Sequence, residues 1–192
     1  MMRTVLQYIV LAAFMTVTAA ALPAAADQPA RPPEWASPVA AQHLKNFYKL
    51  DEKVYRSAQP DRKGFEELKR LGIRNVLSFR DHHADDRDAK GMGMTLRRVK
   101  MEAGGINDEQ VIESLRIIRT AKGPIVIHCW HGSDRTGLIS AMYRVLFQNW
   151  SKDEAIEELM KGGYGYHSLY RNIPEYIRKV DTESIRQRVF AP

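Results

Sequence analysis

The chain has 192 residues, 29 Lys and Arg against 23 Asp and Glu, 44% hydrophobic residues and one cysteine. That composition suits a folded globular domain and excludes collagenous, low-complexity and disordered chains, while the single Cys129 excludes an intrachain disulfide and any Cys-rich zinc or iron–sulfur site. The net charge of +6 is interleaved with acids, as in EELKR and DEAIEELMK, which argues against nucleic acid as a partner and for a bias toward anionic ligands.

Residues 1–26 stand apart. Arg3 is their one charge, an apolar run over 5–22 follows, and Pro23 with small residues leads to Ala26, the pattern that an export signal and its peptidase require. The expectation is a signal peptide over 1–26 and an exported, periplasmic protein without stable membrane insertion. The alternative is an uncleaved segment that anchors the protein, since about 18 apolar residues just span a bilayer. Four prolines in DQPARPPEWASP, 27–38, keep that stretch extended and predict a tether ahead of a single domain over 39–192.

KVYRS at 53–57 reads as a short strand, and Asp61 caps a helix with Phe65, Leu68 and Leu71 on one face and Gly72 as its stop. A buried strand over 73–79 leads into a polar loop, 80–90. There His82, His83, Asp85, Asp86 and Asp88 lack a spacing that converges on one metal ion and read as solvated. Another strand follows over 96–101. Asn107 opens a helix through Thr120, with Gln110 completing a capping box and Val111, Leu115 and Ile118 forming the apolar stripe. IVIH, 125–128, has the β-branched character of a central strand.

A loop over 129–135 and a helix over 136–149 come next. Ser151 with Glu154 caps a helix to Lys161, which GGYGY breaks, and Asn172 with Glu175 starts a last helix carrying Ile173, Tyr176, Ile177 and Val180. Alternating βα units predict an α/β fold, a central, largely parallel sheet flanked by helices with a helical C-terminal part. Arg56 and Arg80 are expected in structural ion pairs, and Tyr164, Tyr166 and His167 in packing.

The chemistry concentrates in IVIHCWHGSDRTG, where a cysteine ends a buried strand and an arginine lies six residues on, next to a helix start. The carboxyl ends of parallel strands bind ligands, and a helix N-terminus offers unpaired amides and positive potential. A loop wrapped there turns the amides of 130–135 toward one point and makes an anion cradle suited to phosphate. Arg135 adds a fork for two phosphoryl oxygens, and the same groups favour a thiolate at Cys129.

His128, Cys129, Arg135 and Thr136, HC-x5-R-T, resemble the signature loop of the cysteine-dependent protein tyrosine phosphatase superfamily. The string HCWHGSDRTG is similar to that of the bacterial and fungal atypical dual-specificity phosphatases. VYRSAQP, LKRLGIRNVLSFR, GPIVIHC, WSKDEAIEEL and GGYGYH extend the likeness over roughly 53–180. The resemblance implies a protein tyrosine phosphatase-like fold and a phosphomonoester hydrolase working through a phosphocysteine intermediate, with no metal and no cofactor. Its substrate would be a protein phosphorylated on tyrosine, serine or threonine, or a small anionic phosphomonoester. Cys129 would be the nucleophile, with Arg135 and the loop residues Trp130, His131, Gly132, Ser133 and Asp134 binding the phosphate. Thr136 would assist thiolate release and His128 would orient the loop.

The family takes its proton-donating aspartate from about thirty residues before the cysteine. Here 95–101 holds no acid, and Glu102 and Asp108 are the nearest. Asp134 lies in the loop itself, where phosphoinositide phosphatases of the myotubularin type place an acidic residue. Asp134 or Asp108 is expected to be the acid. The alternatives in function are an inositol phosphate or phosphoinositide phosphatase, a rhodanese-like sulfurtransferase, whose cysteine-to-arginine loop is one residue shorter, and a non-catalytic phosphate-binding module.

Overall fold

In the computed structural model, which describes residues 31–191, the chain enters the fold through two short strands, Ser37–Pro38 (β1) and Tyr48–Lys49 (β2). Neither is legible locally, because each is only two residues long and exists through its neighbour: β1 pairs with β2, and β2 with Val54–Ser57 (β3), both antiparallel. The segment 1–26 read as a signal peptide, and 27–30 of the tether, lie outside the described residues. The rest of that tether is fixed to the domain. Ala36 is buried, its N–H donates to Glu158 Oε1 at 2.6 Å, and Arg31 donates to Gly162 O at 2.6 Å. The stretch is not extended throughout: it turns at Pro32–Trp35, where Trp35 N donates to Pro32 O at 3.1 Å, and only Ser37–Pro38 runs as an edge strand.

Helix α1, Arg62–Arg70, begins where Asp61 accepts from Gly64 N at 2.8 Å. Asn75–Ser78 (β4) and Thr95–Arg98 (β5) are parallel partners, and Asp108–Thr120 (α2) carries the predicted Asn107–Gln110 capping box. Ile125–His128 (β6) lies between β3 and β4, parallel to both, giving the order β1-β2-β3-β6-β4-β5. The sheet is thus largely parallel, as expected, with an antiparallel edge.

Alternation along the central strands divides the core into two. Val54, Leu77, Ile125 and Ile127 face one cluster with the helices α2, Asp134–Phe147 (α3), Lys152–Lys161 (α4), Asn172–Lys179 (α5) and Thr182–Phe190 (α6). Val76 and Val126 face the other, with Phe65 and Leu68 of α1. A strand buried on both faces needs an unbroken apolar run, which is why IVIH was readable.

Two helix expectations change. α3 starts at Asp134 rather than 136, which puts Arg135 in its first turn. Asn172 is the first helical residue of α5 instead of its cap; its amide donates to Ala103 O at 2.7 Å, and α5 has no side-chain cap. A sixth helix, α6, follows Asp181, whose carboxylate accepts from Glu183 N and Ser184 N. Among the described residues no helix is long and apolar enough to cross a membrane.

Candidate active site

β6 delivers Cys129, 2% exposed, to the carboxyl end of the sheet, and the chain turns through 130–133 into α3. Ser133 precedes α3 without capping it, so no side chain covers the first-turn amides at the positive end of the helix. Every residue of the turn is fixed from elsewhere. Trp130 O accepts from Gln59 N at 3.0 Å, His131 O from Asn46 Nδ2 at 2.8 Å and Gly132 O from Arg56 Nη2 at 2.7 Å, while Ser133 Oγ donates to Tyr164 O at 2.6 Å. Gly132 has φ +74°, and a Cβ there would lie 2.4 Å from Ser57 O, so the turn admits only glycine.

Arg135 Nη1 donates to Phe79 O and Met101 O, both at 3.1 Å, which fixes the guanidinium across the ends of two strands. Its Nε is buried without a partner, and so are Ser57 Oγ, Thr136 Oγ1 and Arg56 Nε. Ser57 lies opposite His128 in the sheet register. Buried polar groups without partners are rare in native proteins, and these four lie on residues that end β3 and open α3. Arg56, fully buried rather than surface-paired, and Arg80 both act electrostatically on Cys129; burial lowers the pKa of each, and Arg135 lowers that of Arg80 further. Among the described residues neither arginine forms the salt bridge expected of it: Arg56 lies over the Tyr164 ring at 3.5 Å, Arg80 over the Trp130 ring at 4.1 Å.

His128 is buried between two partners, with Nε2 2.9 Å from Asp85 Oδ2 and Nδ1 3.3 Å from Cys129 O. Asp85 is therefore no solvated loop residue. It is 4% exposed and also accepts from Gln59 Nε2 at 2.7 Å. Burial pushes its carboxyl up, but the bonds and charge of His128 and the Gln59 bond outweigh that and hold it below its ordinary value. Composition hid this, because a DHHADDRD run has no periodicity to mark the one inward residue. Asp85→Ala is expected to cost about 2 kcal/mol or more by leaving His128 and Gln59 without their acceptor; a urea midpoint equal to wild type would contradict the role.

The two acids expected to donate a proton are both engaged. Asp134 is buried, and its two oxygens accept from His167 N at 2.9 Å and His167 Nδ1 at 2.8 Å, which ties the segment after α4 to the loop. Asp108 accepts from Tyr176 Oη at 2.7 Å in the first turn of α2. Glu102 instead is exposed and directly follows Met101, whose carbonyl holds Arg135. Beside the loop runs a groove of about 470 Å³, lined by Lys45, Gln59, Arg80, His83, Trp130 and His131. Trp130 is 57% exposed, and Arg80 is steadied by Gln59 Oε1 at 3.1 Å. Among the described residues no group of three or more His, Cys, Asp or Glu could hold a metal ion.

A model of the tyrosine phosphatase family matches residues 43–188. The chain is 35% identical over 161 residues to the dual specificity protein phosphatase TpbA of Pseudomonas aeruginosa (strain UCBPP-PA14), covering 81% of this chain and 71% of that protein. It is 26% identical over 153 residues to an inositol diphosphatase of Arabidopsis thaliana, covering 74% of this chain and 73% of that protein. Against a crystal structure of P. aeruginosa TpbA in complex with pTyr, the TM-score is 0.76 at 32% identity, over 84% of this chain and 99% of that one.

Proposed function

The chain belongs to the tyrosine phosphatase family, and on that premise we propose that it dephosphorylates phosphotyrosine, phosphoserine and phosphothreonine in proteins through a phosphocysteine on Cys129. The observation that carries this is the buried Cys129 at the end of β6, joined by the turn 130–133 to the uncapped start of α3, in whose first turn Arg135 Nε is buried without a partner among the described residues. The sulfur attacks phosphorus in line as the ester P–O bond breaks, and the leaving oxygen takes a proton. Water then attacks phosphorus, the S–P bond breaks, and inorganic phosphate leaves with the sulfur returned as thiolate.

Arg135 and the amides of 130–135 hold the three equatorial oxygens, where their fixed geometry favours the transition state. His128, clamped by Asp85, orients the loop. Thr136 Oγ1, buried and unpaired, is the group that hydrogen-bonds the departing sulfur. The hydrolysis of p-nitrophenyl phosphate and of phosphotyrosine and phosphoserine peptides in chelator tests the reading, and an inactive wild type overturns it.

Glu102 supplies the proton in this scheme, because Asp134 and Asp108 are already engaged, while Glu102 is exposed and directly follows Met101, whose carbonyl accepts from Arg135. Glu102→Gln is expected to slow an alkyl ester such as phosphoserine peptide by about 10²-fold or more while sparing p-nitrophenyl phosphate, whose leaving group needs little protonation. Equal loss on both substrates counts against Glu102.

The groove supports a second reading, an inositol phosphate or another small polyanion, because Lys45 and Arg80 line it next to the loop. Faster turnover of inositol phosphates than of peptides would favour it. Residues 1–26 fit an export leader, which makes the mature enzyme periplasmic; mass spectrometry of the periplasmic fraction would show a chain starting at Asp27, and an intact N-terminus would leave the anchor reading.

A further inference from the structure

The turn that cradles phosphate is held by groups that themselves rest on Tyr164. Its carbonyl accepts from Ser133 Oγ at 2.6 Å and from Asn46 Nδ2 at 2.8 Å, and the same Asn46 amide donates to His131 O at 2.8 Å. Its ring lies 3.5 Å beneath the Arg56 guanidinium, which donates to Gly132 O. Three consecutive residues of the turn therefore take their positions from one tyrosine. Tyr164 sits in a poor anchor, however. Gly163 and Gly165 on either side both have φ +74°, and a stretch so rich in glycine has little stiffness of its own.

The stiffness comes from the other end of the chain. Arg31 donates from Nη2 to Tyr164 Oη at 2.5 Å and from Nη1 to Gly162 O at 2.6 Å, so one planar group fixes both ends of the Gly162-Gly163-Tyr164 segment. The guanidinium is in turn held by Nε donating to Ala36 O at 3.0 Å and by ring faces of Trp35, Tyr48 and Tyr164 at 5.6, 5.1 and 5.2 Å. Tyr164 Oη donates to Glu158 Oε1 at 2.9 Å, and burial raises its pKa, so it remains a donor there while accepting from Arg31.

We infer that Arg31 is a positioning residue for phosphate hydrolysis: the segment that opens the domain latches Tyr164 and so keeps the phosphate-binding turn in its working form. This rests on the phosphatase reading. A contact that only stabilised the fold would lower the unfolding midpoint and leave turnover per folded molecule alone. A latch on the amide array instead lowers kcat more than it raises KM, because small misplacements harm the transition state more than the ground state.

Steady-state kinetics of the full chain on p-nitrophenyl phosphate separate the two. Arg31→Ala is expected to lower kcat about tenfold or more with KM changed less than about threefold. Arg31→Lys recovers little, since an ammonium cannot bond Gly162 O and Tyr164 Oη together while lying flat on the rings. Tyr164→Phe keeps the ring and carbonyl but loses the hydroxyl, and should reproduce the loss, with the double variant falling no further.

A kcat for Arg31→Ala within about twofold of wild type, or effects of Arg31→Ala and Tyr164→Phe that add, overturns the latch. Should Arg31→Ala not accumulate as folded protein, Arg31→Lys decides alone, and wild-type kcat in it has the same meaning. A wild type inactive on the ester would sink the phosphatase reading instead. The latch is then read from binding of inorganic phosphate, which Arg31→Ala should weaken about two- to threefold, and equal affinity would overturn it.

Discussion

Cys129→Ser is expected to lower phosphomonoester hydrolysis by about 10⁴-fold or more while leaving the protein folded and able to bind phosphate. Serine is nearly isosteric, so the buried end of β6 accepts it, and every carbonyl of 130–132 keeps its donor. What is lost is the nucleophile. A serine hydroxyl stays protonated at neutral pH; His128 is committed to Asp85 and to the Cys129 carbonyl, and Arg56 and Arg80, which act electrostatically at this position, are cations. Phosphate release by the variant above about a hundredth of the wild-type rate would show that another group carries the reaction. Calorimetric titration with phosphate should give an affinity close to that of the parent, because the amides and Arg135 are unchanged.

Glu158→Ala is expected to be the most damaging change away from the reacting atoms. Glu158 is buried and accepts two bonds from Arg144, Nε at 2.8 Å and Nη2 at 2.9 Å, along with Ala36 N and Tyr164 Oη. Removing it strands a buried guanidinium, which costs about 3–5 kcal/mol, or roughly 10 °C in Tm for a domain of this size. A loss below about 1 kcal/mol in urea unfolding would mean that water reaches Arg144.

The same pair sets the acid limb of stability. Burial raises the Glu158 carboxyl, but Arg144 together with the Ala36 and Tyr164 bonds brings it below its ordinary 4.5, and Asp85 lies below its ordinary 3.8. Carboxyls depressed in the fold contribute their full stability above those values and lose it as pH falls through the lower folded ones. Urea midpoints should therefore hold from pH 7 to about pH 5 and fall below about pH 4, with a shallower fall in Glu158→Ala.

What could be read from the sequence was what neighbouring residues decide among themselves. Asp61, Asn107 with Gln110, and Ser151 with Glu154 cap their helices as expected, because a cap is a bond across three residues. IVIH announced a central strand, and HCWHGSDRTG the tyrosine phosphatase family. What escaped depends on partners far along the chain. β1 and β2 exist only as each other's neighbours and β3's, Asp85 is indistinguishable from Asp86 until His128 meets it, and Arg31 looks like one more charge in a proline-rich stretch. Spacing places Asp134 in the loop but does not reveal its partner: His167, after α4, meets both its oxygens.

The place of β6 between β3 and β4 bears on when the protein becomes active as it folds. Its two partners are 54–57 and 75–78, joined to it only across long stretches of chain, and Gly132 must then settle against Ser57 of the first. Contacts of such sequence separation close slowly, since loop entropy opposes them before they contribute anything. The helices can form early around their own caps, but the cradle has no local precursor. Catalytic competence should be among the last properties to return on refolding, so that a chain with native helix content and an unfinished sheet is still chemically silent.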